Sequence, residues 1–217
     1  MKKVLAQTLN SNAEPDEEVL AIMQMLVSHD DNTPEEKAYF AENIPVKRIS
    51  KGEFLLRDHQ VLKASYHLFK GGVREYYYKD GEEKTSAFYI AGESLSGDAN
   101  KPIQPPNGLN WECVSECIVS VFTFEVEKEM YRRFPRLESL CRMGTEAQYS
   151  QYKAEMNIFL SSTPLERYEH LLKTKPEVFQ TVPLYQIASY LGVKPESLSR
   201  IRNRLRSAPR PLLRVVS

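Results

Sequence analysis

Residues 184–205, LYQIASYLGVKPESLSRIRNRL, constrain the fold of this chain more than any other segment. In their first half, apolar residues recur at i, i+3, i+4 and i+7, which predicts the buried face of a helix. These residues are Leu184, Ile187, Ala188 and Leu191. Gly192 then stands where a tight turn between two helices requires a positive φ angle. Pro195 suits the first turn of a second helix, because its missing N–H would have no partner there.

The second half of the segment predicts a helix with one buried and one polar face. Leu198, Ile201 and Leu205 are spaced i, i+3 and i+7 and form the buried face. The polar face carries groups that can bind base edges and phosphates in a DNA major groove. These residues are Glu196, Ser197, Ser199, Arg200, Asn203 and Arg204. An ordinary helical hairpin would also leave a charged face in solvent, but the agreement of core and turn positions favours a helix-turn-helix.

The net charge of zero hides an uneven distribution of charge along the chain. Residues 162–217 contain ten Lys or Arg against four Asp or Glu, whereas residues 1–161 contain 19 against 25. Within 194–217 there are seven basic residues and a single acid, Glu196. A basic C-terminal region on an acidic body is typical of a protein that binds a polyanion. A solvated basic tail is the alternative, but beside a helix-turn-helix the charge favours double-stranded DNA as the partner.

The length of 217 residues predicts two domains with a substantial core. No apolar run is long enough to span a membrane, and the N-terminus lacks the apolar core of a signal peptide, so we expect a cytoplasmic protein without a membrane partner. Cys113, Cys117 and Cys141 are too few and too irregularly spaced for a disulfide framework. We expect the first two on one face of a strand, as buried small apolar residues. A metal pair is the alternative there, but no His or third Cys is near, so no metal and no other cofactor is expected.

The first 124 residues change from a helical to a strand periodicity. Residues 16–29 carry a helical stripe, and Thr-Pro-Glu-Glu at 33–36 is a capping box ahead of a short helix. Over 46–124, short runs rich in Val, Ile, Tyr and Phe alternate with Gly and Asp-Gly turns, which predicts the strands of a barrel or jelly roll. Residues 92–111, rich in proline and glycine, interrupt this pattern. They predict a long excursion between strands, and such segments are often functional.

A long helix is predicted from Pro135 to about Leu160, after helical character resumes near Glu125. Its apolar stripe is suited to pairing with a second copy, although Ser, Gln and Glu interrupt it, so no strict coiled coil is expected. The residues assigned to the pairing face are Leu137, Cys141, Gly144, Tyr152 and Phe159. A second capping box, at 163–166, starts the C-terminal domain, and the residues after 206 suggest a tail or part of a wing. The predicted domains are 1–124, 125–161 and 162–217.

Together these features resemble the Crp/Fnr superfamily of bacterial transcription regulators, from about residue 16 to residue 205. The resemblance rests on KGEFLLRDHQ (51–60), YHLFKGGVREYY (66–77) and the segment 166–205. The last is most similar to the branch common in Bacteroidetes, in which Pro-Glu-Ser-Leu-Ser-Arg opens the recognition helix. The resemblance implies an α+β fold with a cyclic-nucleotide-binding-like β-roll (jelly roll), a long central dimerisation helix and a C-terminal winged helix-turn-helix. It also implies a homodimer that contacts RNA polymerase and is not an enzyme.

Carried onto this sequence, the resemblance places Glu196 and Arg200 on base edges. A carboxylate accepts from the cytosine amino group, and a guanidinium donates two hydrogen bonds to guanine. Pro195 stands where the cyclic-AMP-responsive members have an arginine, so we do not expect this protein to bind the DNA half-site of those members. The spacing of Glu196, Ser199 and Arg200 is closer to the Fnr-like pattern, which implies a TTGA-like half-site. The residues assigned to DNA contact are Tyr185, Lys194, Glu196, Ser197, Ser199, Arg200, Arg202, Asn203 and Arg204. Of these, the candidates for phosphate contact are Tyr185, Ser197, Arg202 and Arg204.

The resemblance fails at the effector site. In cyclic-nucleotide-binding members a Gly-Glu pair and an Arg-Ser/Thr-Ala run hold the ligand, because a buried phosphate requires a fixed cation. Here the second run falls on Asn-Gly-Leu at 107–109, and no Arg or Lys occurs between Lys101 and Lys128. We therefore expect no useful affinity for cyclic AMP, and the effector is unknown. The residues assigned to an effector pocket are Gly92, Glu93, Ser96, Gly97, Asn107 and Gly108.

Two classes of function follow from the sequence. The first is a homodimeric, sequence-specific regulator on a near-palindromic DNA site. The second is a sensor or interaction protein that binds a small molecule in the β-roll, with a DNA-binding region that is vestigial or ligand-dependent. The salt dependence of DNA affinity distinguishes them, because contact with several phosphates makes it steep. An enzyme is not expected, since the sequence contains no HExxH, GxSxG, P-loop or GxGxxG motif.

Overall fold

The computed structural model describes residues 16–28, 30–96 and 108–207 of the chain. Within these ranges the architecture is α+β, with helices at both ends and antiparallel strands between them. The helices are α1 Glu17–Ser28, α2 Pro34–Asn43, α3 Phe124–Arg133, α4 Pro135–Ser161, α5 Pro164–Thr174, α6 Val178–Thr181, α7 Leu184–Leu191 and α8 Pro195–Ser207. The strands are β1 Val46–Ile49, β2 Phe54–Leu56, β3 Ala64–Lys70, β4 Gly72–Lys79, β5 Glu82–Ile90, β6 Ser94–Leu95, β7 Asn110–Cys113 and β8 Cys117–Thr123.

The strands form two four-stranded antiparallel sheets, with the orders β1-β8-β3-β6 and β2-β7-β4-β5. We call the two sheets together the β-region. Leu68 and Val119 of the first sheet are buried in one apolar cluster with Val73 and Trp111 of the second. Burying such a side chain stabilises the fold by about 1.5–3 kcal/mol. β5 is the outer strand of its sheet and, among the described strands, pairs with β4 alone, so its other edge is open to contact with the rest of the chain.

Two strands lie in the segment that the sequence assigned to a long excursion. β6 and β7 occupy its two ends, while residues 97–107 fall outside the described residues. β6 has two residues and β7 has four. Runs this short do not show the alternation of a strand. β6 is defined as a strand by its pairing with β3, and β7 by its pairing with β2 and β4.

The expectation that Cys113 and Cys117 share one strand is wrong. Cys113 ends β7 and Cys117 begins β8, and these strands belong to different sheets. Both side chains are fully buried, and the Cys117 thiol lies 3.4 Å from the carbonyl oxygen of Gly72. The neighbouring Cys117 thiol and burial raise the pKa of Cys113. Cys113 therefore serves as a small apolar core residue, as expected, although from a different position in the sheets.

The N-terminal helices pack against the start of the central helix. The predicted capping box is present: the Thr33 hydroxyl accepts from the Glu36 N–H, and the Glu36 carboxylate accepts from the Thr33 N–H. α2 then places Tyr39 and Phe40 against Leu137 of α4. Leu137 is 6% exposed. Its assignment to the pairing face is therefore corrected, because it is buried inside its own chain.

The central helix α4 begins at Pro135, as predicted, and its 27 residues extend about 40 Å. Exposed apolar side chains lie along it: Leu140, Met143, Tyr149, Tyr152, Met156 and Leu160. Cys141 is exposed, and no atom lies within 4 Å of the position a Cβ on Gly144 would take. Phe159 is only half-exposed, because its ring packs on Tyr190. Pairing with a second copy through this helix stays a prediction.

The C-terminal lobe, residues 162–207, is built from α5 to α8. It begins at the predicted capping box, in which Thr163 and Glu166 exchange hydrogen bonds. The buried side chains of its helices form a cluster that also contains Phe88 and Val114 of the β-region. The lobe and the β-region are thus joined by a continuous apolar core. Residues 208–217, which include the possible wing, fall outside the described residues.

Gly71, between β3 and β4, is a position where a side chain should strongly destabilise the protein. Its φ is +91°, and a Cβ there would lie 2.2 Å from the carbonyl oxygen of Glu116. Gly52 has a φ of +84° but no atom within 4 Å of the same position. We expect Gly71→Ala to lower the free energy of unfolding by roughly 3 kcal/mol or more, and Gly52→Ala by about 1 kcal/mol, in urea denaturation. Both variants share the strain of a positive φ angle. Equal losses of free energy of unfolding would therefore contradict the argument that a side chain at Gly71 also clashes with the Glu116 carbonyl.

Candidate nucleic-acid interface

The turn between α7 and α8 has the geometry that the sequence predicted. Gly192 follows α7 with φ 70° and ψ 32°, a left-handed conformation that glycine adopts without strain. The Val193 N–H donates to the Ala188 carbonyl at 3.0 Å, and Arg167 Nη1 donates to the Leu191 carbonyl at 2.9 Å. The last carbonyls of α7 therefore have partners, and the direction in which α8 leaves the turn is fixed.

The outer face of α8 is open to solvent. Leu198 is fully buried, so it anchors the helix in the core of the C-terminal lobe and directs the polar residues outward. The exposed residues among those assigned to DNA contact are Tyr185, Lys194, Glu196, Ser197, Ser199, Arg200, Asn203 and Arg204. Arg202 is half-buried, and the Ser199 hydroxyl donates to the Pro195 carbonyl at 3.1 Å. Seven of the eight exposed residues therefore lie on or immediately before a single helix.

The charged side chains of this face have no partner of opposite charge within the described part of the chain. No ion pair there involves Lys194, Glu196, Arg200 or Arg204. The exposed arginines of α3 differ, since Arg132 pairs with a glutamate of its own helix. Unpaired guanidinium groups on an exposed helix are suited to phosphate oxygens and to the acceptor edge of guanine.

The first helix of this pair, α7, packs on the open edge of β5. Its Ser189 hydroxyl accepts from the Thr85 N–H at 3.0 Å and donates to the Glu83 carbonyl at 3.1 Å. Both backbone groups lie on the edge of the strand that has no neighbouring strand. Because unpaired backbone groups away from water are costly, this hydroxyl takes the place of a missing strand at that point.

A second polar contact joins the C-terminal lobe to the β-region. Lys175, just after α5, is buried, and its Nζ donates to both carboxylate oxygens of Glu93 at 2.8 and 3.0 Å and to the Phe88 carbonyl at 2.6 Å. Glu93 also accepts from the Ile90 N–H at 2.8 Å. Glu93 was assigned to an effector pocket; its carboxylate is held by the lobe, and its contact with an effector stays a prediction.

Aromatic rings extend the contact between the C-terminal lobe and the β-region to the central helix. The ring of Tyr190 lies 5.2 Å from that of Phe88 in β5 and 6.2 Å from that of Phe159 in α4, between ring centres. The guanidinium of Arg167 stacks on Phe159, 4.3 Å from the ring centre. Burial raises the pKa of Tyr190 to about 12. The rings therefore connect the β-region, the central helix and the lobe that carries α8.

The remaining residues assigned to an effector pocket do not meet in one site within the described structure. Gly92 is an exposed turn residue with φ +91°. Ser96 is exposed just after β6, and Gly108 adopts φ +74° ahead of β7. Gly97 and Asn107 fall outside the described residues. The predicted pocket therefore stays a prediction.

Lys175 and Ser189 were not found by the sequence analysis. In the sequence, Lys175 is a basic residue near a helix end, where it counts as part of the general positive charge. Ser189 occupies a position on α7 that carries no recognisable motif. Their roles depend on partners 82 residues and more than 100 residues away, respectively, so no local pattern could have indicated them.

The described residues hold no cluster of three or more His, Cys, Asp or Glu side chains that could bind a metal ion. His67 is bound at Nδ1 to the Ser94 hydroxyl at 2.9 Å, and burial lowers its pKa. His59 is exposed and lies 3.2 Å from Asp58. No helix in the described ranges is long and apolar enough to cross a membrane.

No protein-family profile matches this sequence, and no curated protein is detectably similar to it in sequence. The fold is shared with solved structures. FixK2 from Bradyrhizobium japonicum is similar with a TM-score of 0.61 at 16% identity, over 76% of this chain and 85% of that protein. A protein from Eubacterium rectale, provisionally assigned to the Crp/Fnr family of transcriptional regulators, gives 0.62 at 15% identity over 82% and 85%.

A third similar structure, a CooA variant from Carboxydothermus hydrogenoformans, covers more of this chain. Its TM-score is 0.58 at 14% identity, over 92% of this chain and 87% of that protein. At such identities the similarity establishes the fold. The α+β fold of the Crp/Fnr-type regulators, expected from the sequence, is thereby confirmed, while the Bacteroidetes branch stays a prediction.

The buried pair of Lys175 and Glu93 should contribute measurably to stability. We expect Lys175→Met to lower the free energy of unfolding by about 2 kcal/mol, because it leaves the half-buried Glu93 carboxylate and the Phe88 carbonyl without the ammonium group that binds them. Lys84→Met is the matched control: Lys84 pairs with Glu82, but both side chains are largely exposed. It should leave the free energy of unfolding almost unchanged, because solvent screens an exposed ion pair. Adding Glu93→Gln to Lys175→Met should recover part of the loss in chemical denaturation. Additive losses would contradict a direct interaction.

Proposed function

We propose that this chain is a sequence-specific DNA-binding transcriptional regulator of Crp/Fnr type, which binds a near-palindromic site as a homodimer. The observation that carries the proposal is the outer face of α8, an exposed row of unpaired basic and polar side chains on a helix anchored by Leu198. The fold shared with Crp/Fnr-type regulators supports it. The excess of ten basic over four acidic residues in 162–217 also supports it, since DNA is a polyanion.

In the proposed complex α8 enters the major groove and reads bases near its start. Arg200 donates two hydrogen bonds to O6 and N7 of guanine, and Glu196 accepts from the amino group of cytosine. The two residues are four apart and therefore lie on one face of the helix. Each contact discriminates between base pairs by about 1–3 kcal/mol. Tyr185, Ser197, Arg202 and Arg204 bind phosphates, which sets the position of the helix without reading sequence.

The homodimer would form through the exposed apolar side chains of α4. Two copies related by a two-fold axis would place their α8 helices in successive major grooves, about 34 Å apart. A near-palindromic site follows from that symmetry. RNA polymerase would be the partner of the DNA-bound dimer, and the effector of the protein is unassigned.

The first test is selection of bound fragments from a random DNA pool by the purified protein without added ligand. We expect a two-fold symmetric motif from the wild type, and its loss in Arg200→Ala because the guanine contact is removed. Arg132→Ala is the control, since Arg132 is 71% exposed at its side chain but lies on α3, away from the proposed interface. A symmetric motif retained by Arg200→Ala would contradict the proposed reading of bases, provided that circular dichroism shows both variants folded.

Cyclic AMP should not bind with useful affinity. The arginine that holds its phosphate in relatives has no counterpart, because the sequence contains no Arg or Lys between Lys101 and Lys128. We expect titration calorimetry to give a Kd of about 1 mM or weaker, since a buried phosphate without a fixed cation is poorly solvated. A micromolar Kd would overturn this expectation.

The alternative function is a small-molecule sensor whose lobe binds DNA only with ligand, or no longer does so. Ser189 and Lys175 hold the lobe in one position on β5. These contacts favour the alternative function, because a lobe held in this way would need a ligand to change its position. Under this alternative no motif would be selected without ligand, and the DNA affinity of the free protein would depend only weakly on salt.

A further inference from the structure

We propose that the cavity enclosed by β5, the central helix and the C-terminal lobe is a binding site for a small, uncharged aromatic molecule. The cavity measures about 410 Å³, which is within the usual range for small-molecule sites of about 300–1,000 Å³. It lies along the open edge of β5. Residues of the lobe and of α4 form the opposite walls.

Aromatic residues of three elements line the cavity. Phe88 and Tyr89 come from β5, Tyr152 and Phe159 from α4, and Tyr190 from the lobe. Phe88 is buried in the core of the lobe and the Tyr89 hydroxyl donates to Glu75, so the rings that stay available to a ligand are those of Tyr152, Phe159 and Tyr190. A flat aromatic ligand would contact rings of α4 and of the lobe, and stacked or edge-to-face ring pairs contribute about 0.5–1.5 kcal/mol each beyond area burial.

The charges of the lining disfavour a phosphate or another strong anion. The cavity is lined by two lysines, Lys84 and Lys175. Lys84 already pairs with Glu82 at 2.6 Å, and Lys175 with Glu93 at 2.8 Å. Among the described lining residues no cation is left unpaired. Two carboxylates, Glu93 and Glu155, line the cavity as well, so a phosphorylated ligand would meet no unpaired cation and two negative groups, whereas an uncharged ligand would meet no such repulsion.

Hydrogen-bonding groups at the rim could orient an uncharged ligand. The amide groups of Gln148 and Gln151 and the hydroxyl of Ser86 line the cavity. Gln148 donates to the Ser94 carbonyl at 2.8 Å, and Gln151 to Glu155 at 3.2 Å. Each amide oxygen can still accept, so the site suits a heteroaromatic ring or a phenol with its own N–H or O–H group.

This cavity differs from the effector pocket that the sequence analysis predicted. Of the described residues assigned to that pocket, Glu93 alone lines the cavity, and it does so as the partner of Lys175. The site is instead defined by contacts between the β-region and the lobe. The binding itself does not depend on the proposed DNA function. Any effect of the ligand on DNA affinity rests on that function, because the lobe that carries α8 forms one wall.

The test uses two probes with the same anilinonaphthalene skeleton, N-phenylnaphthylamine, which is uncharged, and anilinonaphthalene sulfonate, which is an anion. Equilibrium dialysis against the full-length protein should give saturable, one-to-one binding of the uncharged probe and binding of the sulfonate weaker by about tenfold or more. Equal binding of the sulfonate would overturn the argument from charge.

Met156→Trp then tests the location of the probe. Met156 lines the cavity from α4 and is 39% exposed, so a larger side chain there occupies the space without disturbing the core. We expect the affinity for N-phenylnaphthylamine to fall by about tenfold or more. Lys153→Trp is the matched control, because Lys153 is exposed on the same helix, does not line the cavity and is not one of the apolar side chains proposed to pair with a second copy. It should leave the affinity within about twofold.

A second readout keeps the proposal testable if Met156→Trp does not fold. Saturation of the wild type with N-phenylnaphthylamine should slow amide hydrogen exchange in β5 and in α7, because both elements contribute residues to the lining of the cavity. Unchanged exchange in these elements, or equal affinities of the two tryptophan variants, would overturn the proposed site. These outcomes are independent of DNA selection, so failure of the cavity and failure of the proposed function can be told apart.

Discussion

The packing of the C-terminal lobe on the open edge of β5 is the interaction on which the arrangement of the whole molecule depends. An outer strand presents unpaired backbone groups that would otherwise attract another strand. Here the Ser189 hydroxyl pairs with two of them, and Lys175 binds the Phe88 carbonyl as well as Glu93. Since the turn at Gly192 fixes α8 relative to α7, the edge of a sheet determines where the exposed basic helix stands.

The central helix takes part in the same contact. Phe159 stacks near Tyr190 of the lobe, and Gln148 donates to the Ser94 carbonyl in β6. A ligand in the cavity or a second copy on α4 would therefore touch elements that also hold the lobe. Either one could change DNA affinity only by binding one arrangement of the lobe better than another. The buried ion pair of Lys175 and Glu93 is the most specific contact that such a change would have to break.

The structure corrects the sequence analysis where local pattern and tertiary environment diverge. Leu137 belongs to the apolar stripe of α4, yet it is buried by α2 instead of facing a second copy. Cys113 and Cys117 are spaced like residues of one strand, but a turn separates two strands there. For Leu137 the apolar stripe was predicted correctly and only the element that covers it was not, whereas for the cysteines the predicted strand is itself interrupted by a turn. Sequence periodicity reports that a face is apolar, whereas it carries no information on which element covers that face.

The sequence by itself determined the helix-turn-helix, both capping boxes and the start of the central helix, because each depends on residues within a few positions of one another. The left-handed glycine, the first-turn prolines and the cap hydroxyls act through local backbone geometry. Only the tertiary structure decided the partners of Glu93 and Ser189, which lie 82 and more than 100 residues away along the chain. Those contacts arise because the fold brings a sheet edge with unpaired backbone groups beside a distant helix, and the cost of leaving such groups unpaired is what selects them.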